Sequence, residues 1–435
     1  MLYFTLFFLL LIAGLISSQS RRTRKVRKEA LERLHARIEE HLVLLEWESA
    51  SRLLTRLRNE GRGDQRTDLL RVRLLRLRKE CDKALELARY SINIHQDPRP
   101  FHRECGYALL ELGHPQAAID ALELGSATPQ TVEELTAYAT ALHEVGQPER
   151  ALRLIEPHLL LSPTPHLLTL AADCHYLLEE FESALTLYHS AGKLGQETER
   201  LLERMGHCYR HLKQMGRGLE CFQAIWESDP LNLGAVLNLG GCLEAIGAHA
   251  DALALYSREA TWNLGDPRLI ARAGISAIHL ERYSVGEVYL RYAISLGLKP
   301  PTYLAYLAYA CERQLAWQEA EELYQELTTL PEGEAAGYLG LTYLFAIGVS
   351  SLNSEDEVLH IATRSVELHS QAISWELLSA SLARLGYFVE AHQIQEALTP
   401  YDLLPEVSTR RRAAMRLLRQ RQPLPAALLP HPLVA

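Results

Sequence analysis

The sequence predicts an all-α protein assembled by stacking two-helix units, and three observations carry that prediction. Small residues recur with a near-constant period of 34, in one series running Ala50, Ala84, Ala118, Ala151, Ala184, Gly218, Ala252, Gly286 and Ala320. A second series runs Gly106, Ala139, Ala172, Gly206, Gly240, Gly274, Ala308 and Gly340, each of its members up to Ala308 twelve residues before one of the first. Turn and stop signals separate the apolar stretches, as at Asp229–Pro230; Pro disfavours helical geometry in the residue before it. A period of a few tens of residues marks a stacked-repeat chain. Twelve residues hold most of one helix, a tight turn and the start of the next. Small side chains at both positions then let two antiparallel helices approach closely, where a bulky residue would overpack at about 1–3 kcal/mol.

The chain has 435 residues, 48% of them hydrophobic and 23% charged. A solenoid grows by adding units and needs no second core, so this length is compatible with one continuous array. The first segment differs in kind. Residues 1–17 read MLYFTLFFLLLIAGLIS, and residues 21–28 that follow read RRTRKVRK. A helix rises 1.5 Å per residue, so this apolar stretch is short against a hydrocarbon core of about 30 Å, and the flanking residues and Arg stems close most of the gap. Basic residues only on the C-terminal side predict a retained single-pass anchor over residues 1–20, with the rest of the chain cytoplasmic; a cleaved leader would carry its positive charges in front of the apolar stretch. Arg21, Arg22, Arg24, Lys25, Arg27 and Lys28 are the candidate membrane-proximal contacts to anionic lipid head groups.

Net charge is −9, unevenly spread. Residues 21–80 hold 18 Lys/Arg against 10 Asp/Glu, residues 81–406 hold 21 against 44, and residues 407–435 hold six Arg and no acid. An acidic middle argues against nucleic acid as the partner. The seven cysteines are odd in number and form no Cys-x-x-Cys pair, which fits reduced thiols in a cytosolic domain.

The helices follow from apolar spacing. Residues 24–60 read as one long basic helix leading into a degenerate unit around Trp47 and Ala50. Repeats then fill residues 61–400. Residues 349–356 lengthen one turn, since Ala391 lies 71 rather than 68 residues after Ala320. Residues 408–421 form a basic helix, and the Pro-rich remainder to 435 is expected to be extended or disordered.

The clearest unit spans residues 199–230. Gly206, Tyr209, Gly218, Phe222 and Pro230 stand where a tetratricopeptide repeat places a small residue, an aromatic, Ala, an aromatic and Pro. Leu239, Gly240, Gly247, Ala252 and Tyr256 repeat the match at 233–267, Leu307, Ala308, Ala320 and Tyr324 at 301–331, and Trp375, Leu378, Gly386 and Ala391 at 372–400. The chain thus resembles the tetratricopeptide-repeat family over about nine to eleven units. The resemblance implies a right-handed superhelical solenoid whose inner groove binds proteins or peptides through first-helix positions. Carried over by offset, those positions are Arg103, Tyr107, Thr140, His143, Asp173, Tyr176, Glu203, His207, Arg210, Glu244, Tyr309 and Glu312.

Anchor, basic junction and array together resemble the bacterial lipopolysaccharide assembly protein B family, which implies an inner-membrane adaptor in envelope assembly; the rubredoxin-like Cys-x-x-Cys module that ends that family is replaced here by the Arg-rich helix and tail. An alternative is a targeting or import receptor whose acidic surface attracts basic peptides. A third reading is a thiol- or metal-dependent sensor at Cys174, Cys208 and Cys242, which stand 34 apart, with His175 and His207 beside them. Packing explains that spacing more simply, because stacked helices lie about 10 Å apart whereas zinc needs its ligands at about 2.0–2.3 Å. Glu179–Glu180 and Glu321–Glu322 are expected to be solvated pairs. No nucleotide, cofactor or hydrolase motif is present, so the expectation is a non-enzymatic scaffold without cofactor, of open oligomeric state.

Overall fold

The computed structural model describes residues 25, 28–60, 64–126, 128–129, 131–161, 163–195, 198–262, 265–401 and 404–432. The proposed anchor and Arg21, Arg22, Arg24 and Arg27 lie outside the described residues; Lys25 and Lys28 are exposed. No helix among the described residues is long and apolar enough to cross a membrane.

Among those residues the secondary structure is helical throughout. The first helix, α1, covers 28–43. It is followed by α2 (Trp47–Asn59), α3 (Gln65–Leu77), α4 (Cys81–Ile94), α5 (Arg99–Glu111), α6 (Pro115–Gly125), α7 (Val132–Glu144), α8 (Pro148–Leu161), α9 (Pro165–Leu177), α10 (Phe181–Lys193), α11 (Glu199–His211) and α12 (Met215–Ser228). Then come α13 (Leu233–Ala245), α14 (His249–Trp262), α15 (Pro267–His279), α16 (Tyr283–Ser295), α17 (Pro301–Arg313), α18 (Trp317–Thr328), α19 (Glu334–Ile347), α20 (Glu355–Leu368), α21 (Ala372–Leu385), α22 (Phe388–Leu398) and α23 (Pro405–Arg419). Odd and even helices up to α22 pair into helix-turn-helix units. The chain forms two compact units, up to Leu201 and from Leu202 onward.

The repeat is written into the backbone. One residue with positive φ closes the first helix of each pair: Leu45, Lys79, Gly113, Gly146, Glu179, Lys213, Gly247, Glu281, Leu315, Gly348 and, after the lengthened turn, Gly386. Up to Gly348 they stand 33 or 34 apart, and Gly386 follows 38 later. Each reversal lets the following amide reach back, as where His114 N donates to Leu109 O at 2.9 Å and Ala248 N to Leu243 O at 2.9 Å, satisfying carbonyls that a helix end otherwise leaves bare. Several first helices also open on a side-chain cap, with Asp64 accepting from Thr67 N and Asn232 from Ala235 N, both at 2.9 Å.

The small residues sit where the two helices of a pair touch. A methyl built on Gly274 would lie 3.0 Å from the Gly286 carbonyl oxygen, and one on Gly286 would lie 2.9 Å from that of Gly274. A methyl on Gly240 would land on the ring of Tyr256, which is fully buried. The second-helix aromatic of the repeat thus fills the space that the small residue leaves.

Three expectations are corrected. The long helix over 24–60 is two helices: Leu45 turns left-handed and Glu46 N closes onto His41 O at 2.8 Å. The break lets Ile38 and Leu42 fold back on Ala50 and Leu54 in one apolar cluster. Glu321 is not solvated but 4% exposed. It holds the lengthened turn, accepting from Ser351 N at 3.1 Å and from the Ser350 hydroxyl. The Pro-rich tail is ordered up to Pro432, with a 3-10 turn at Ala426–Leu428 and Leu424 and Leu429 buried against α19, α21 and α23.

Adjacent glycines give a test of the close contact. Gly241 has no neighbour within 4 Å of a built methyl. Gly241→Ala is expected to stabilise by about 0.5–1 kcal/mol through helix propensity, and Gly240→Ala to destabilise by about 1–3 kcal/mol through overpacking, read as opposite shifts of the urea midpoint.

Candidate peptide-binding face

First helices of successive repeats are joined by polar side chains 27 to 32 residues apart. In the N-terminal unit the central group is Glu104 on α5, 2% exposed. It accepts from Arg73 Nε at 3.0 Å and from Arg76 Nε at 2.9 Å, both on α3. Arg76 also reaches Glu133 on α7 at 3.0 Å and lies 4.9 Å over the ring of Tyr107. Burial acts to lower the Arg76 guanidinium, but the Glu104 carboxylate overcomes it and holds the group above its ordinary value. Burial, reinforced by Glu133 and Glu104, pushes the Tyr107 phenol up. Arg103 lies 3.6 Å from Glu134.

These groups border a cleft of about 420 Å³ across α3, α5, α7 and the start of α9. Arg76, Tyr107, Glu133, Thr136, Thr140 and His166 line it together with Leu110 and Val132. Of the expected residues, Tyr107 and Thr140 meet here, while His143 sits half-buried further along α7. Asp173 on α9 is enclosed, accepting from the Tyr188 hydroxyl at 2.5 Å with Arg200 at 3.5 Å. Tyr176 packs edge-on against Phe181.

The C-terminal unit repeats the scheme with other chemistry. Arg210 Nη1 donates to Asn238 Oδ1 at 2.7 Å. Glu244 on α13 accepts from Arg272 at 2.9 Å and Ser276 at 3.2 Å on α15; burial nevertheless pushes its carboxyl up against the opposing Arg272. Glu203 is exposed, 4.0 Å from His207, whose ring meets Phe222 edge-on and whose imidazole burial pushes down. On α17, Glu312 is buried and Tyr309 is half-buried. His431 from the tail lies between the rings of Tyr309 and Tyr343, at 4.6 and 4.7 Å between centroids, and its Nε2 donates to Glu312 Oε2 at 2.6 Å.

All seven cysteines are buried, and none forms a disulfide. Burial pushes the thiols of Cys174 and Cys311 up to about 12 and those of Cys105 and Cys221 up to about 11, far from the thiolate that metal binding or oxidation uses. Among the described residues the group of potential ligand atoms close enough to hold an ion is Glu287, Cys311 and Glu319, not the Cys174–Cys208–Cys242 row. Arg291 already occupies that group, donating to Glu287 at 2.8 Å and Glu319 at 2.5 Å.

No family model matches the chain, and no curated protein does either. Solved structures similar to it include YrrB, described as a TPR protein with an unusual peptide-binding site, at 22% identity over 38% of this chain and 86% of that one, TM-score 0.35. The C-terminal part of a TPR repeat-containing protein from Cytophaga hutchinsonii is 14% identical over 54% of this chain and 96% of that one, TM-score 0.45. PilW, described as a type IV pilus biogenesis factor, is 16% identical over 46% and 94%, TM-score 0.38.

Offset named Tyr107 and Thr140 but not Arg76, Glu133 and His166, which line the same cleft; of these, Arg76 pairs with Glu104 28 residues on, an opposite charge that sequence spacing could have pointed to. Removing Glu104 leaves the enclosed Arg76 without its main counter-charge. Glu104→Ala is expected to destabilise the N-terminal unit by about 3 kcal/mol, measured as a lowered urea midpoint.

Proposed function

We propose that this chain is a tetratricopeptide-type scaffold that binds a protein or peptide on its first-helix face, without catalysing a reaction. The observation that carries the reading is the α3–α5–α7 cleft. It sets the Tyr107 ring and the apolar Leu110 and Val132 beside Arg76, Glu133, Thr140 and His166. Such a lining offers stacking, ion pairing and hydrogen bonds to one extended or helical segment, and the Arg76–Glu104 network holds it in place before a ligand arrives.

The proposal extends to location. The apolar residues 1–20 and the basic residues 21–28 would hold the array on the cytoplasmic side of a bacterial inner membrane, next to anionic lipids. Tethering raises the local concentration of partners, so a modest groove affinity suffices for an adaptor in envelope assembly. The basic-peptide receptor gains no support from the cleft, where Arg76 already answers Glu104 and Glu133.

A photo-crosslinking residue at Thr140, in intact membranes, tests this. Discrete protein adducts are expected at Thr140 and none at Asp120, exposed on the second helix α6. Equal adducts at both positions, or none at Thr140, would overturn the assignment.

A further inference from the structure

The tail shows what one end of the C-terminal unit recognises. After α23 the chain reverses at Arg421, whose φ is 55°. It then runs back across α21 and α19 to α17, against the order in which the repeats stack. Leu424 and Leu429 enter the apolar cluster formed by Leu339, Ile373 and Leu377. Pro430 is buried, and His431 reaches a partner 119 residues earlier in the chain.

The receptor is built for a nitrogen cation or imidazole. Two aromatic rings flank the His431 side chain, and a carboxylate 3% exposed accepts its N–H at 2.6 Å. The rings meet the imidazole tilted and edge-on, at 57° and 70°, and aromatic rings with a carboxylate are groups that hold such a ligand. Pro430 and Pro432 limit the backbone on either side of His431, so docking this segment orders little that is not already fixed. The contact is not needed to complete a repeat, since α17 and α18 already pair through Ala308, Ala320 and Tyr324.

We propose that Tyr309, Glu312 and Tyr343 form a binding site for a His-bearing, Pro-flanked extended peptide, and that residues 423–432 fill it in cis. A partner carrying that chemistry then binds here only by displacing the tail. The proposal rests on the scaffold reading and adds to it a ligand class and a built-in competitor. A tethered competitor acts at an effective concentration of about millimolar, so it masks the site against any free peptide of ordinary groove affinity.

The probe is a labelled synthetic peptide copying residues 423–432, offered to the full chain and to a chain ending at Gln422. Saturable binding to the shortened chain is expected, at least tenfold tighter than to the full chain. A peptide with the His431→Ala change should bind at least tenfold more weakly. If the shortened chain fails to fold, full-length His431→Ala replaces it, and the unaltered peptide should bind that variant more tightly than wild type. Equal binding of the two peptides, or equal binding to full and shortened chains, overturns the proposal. A dimer that forms with rising concentration and is lost in His431→Ala would also overturn it, because the tail would then serve a second copy. The probe is the chain's own segment, so this result is independent of crosslinks at Thr140.

Discussion

Everything in this fold depends on how closely the two helices of a repeat can approach. At Gly274 and Gly286 the backbones meet with no room for a methyl, and at Gly240 the space is taken by the Tyr256 ring. Close approach fixes where each pair places its outer faces, and the left-handed turn after each first helix fixes the reversal. With both set, the first helices of neighbouring repeats come near enough for side chains 27 to 32 residues apart to bond. Arg76 to Glu104 and Arg272 to Glu244 are such rungs. The geometry of the first-helix face is therefore a consequence of backbone packing on its other side.

The rungs have a second role. A groove whose charges are already paired presents fixed donors and rings rather than loose side chains. Arg76 is tied to three carboxylates and still covers Tyr107. Across α17 and α19 the same economy gives a carboxylate, Glu312, and two rings, Tyr309 and Tyr343, that the tail occupies. Burial and the Glu312 carboxylate push the phenol of the neighbouring Tyr324 well up.

The period made the helix pairs legible, and with them the lengthened turn before α20: Gly348 and Gly386, the left-handed residues on either side, stand 38 apart where the other reversals stand 33 or 34 apart. The basic helix α23 was legible from its Arg-rich amphipathic spacing. The break at Leu45 was not, because neither Pro nor Gly marks it and a Leu takes the left-handed conformation. Burial of Glu321 was hidden because its donors, Ser350 and Ser351, come from the added residues rather than from the repeat. The tail escaped because composition describes how a Pro-rich segment behaves alone, whereas this one meets a surface some 119 positions away. Offset named Tyr309 and Glu312 but could not say that His431 is what they hold.

A double-substitution cycle between Gly274 and Gly286 tests the backbone contact most directly. If the helices touch there, Gly274→Ala and Gly286→Ala compete for one space. Their combined effect on the urea midpoint then departs from the sum of the single effects by more than about 0.5 kcal/mol. Additive effects would mean that the two backbones do not meet, and the account of the repeat would fail.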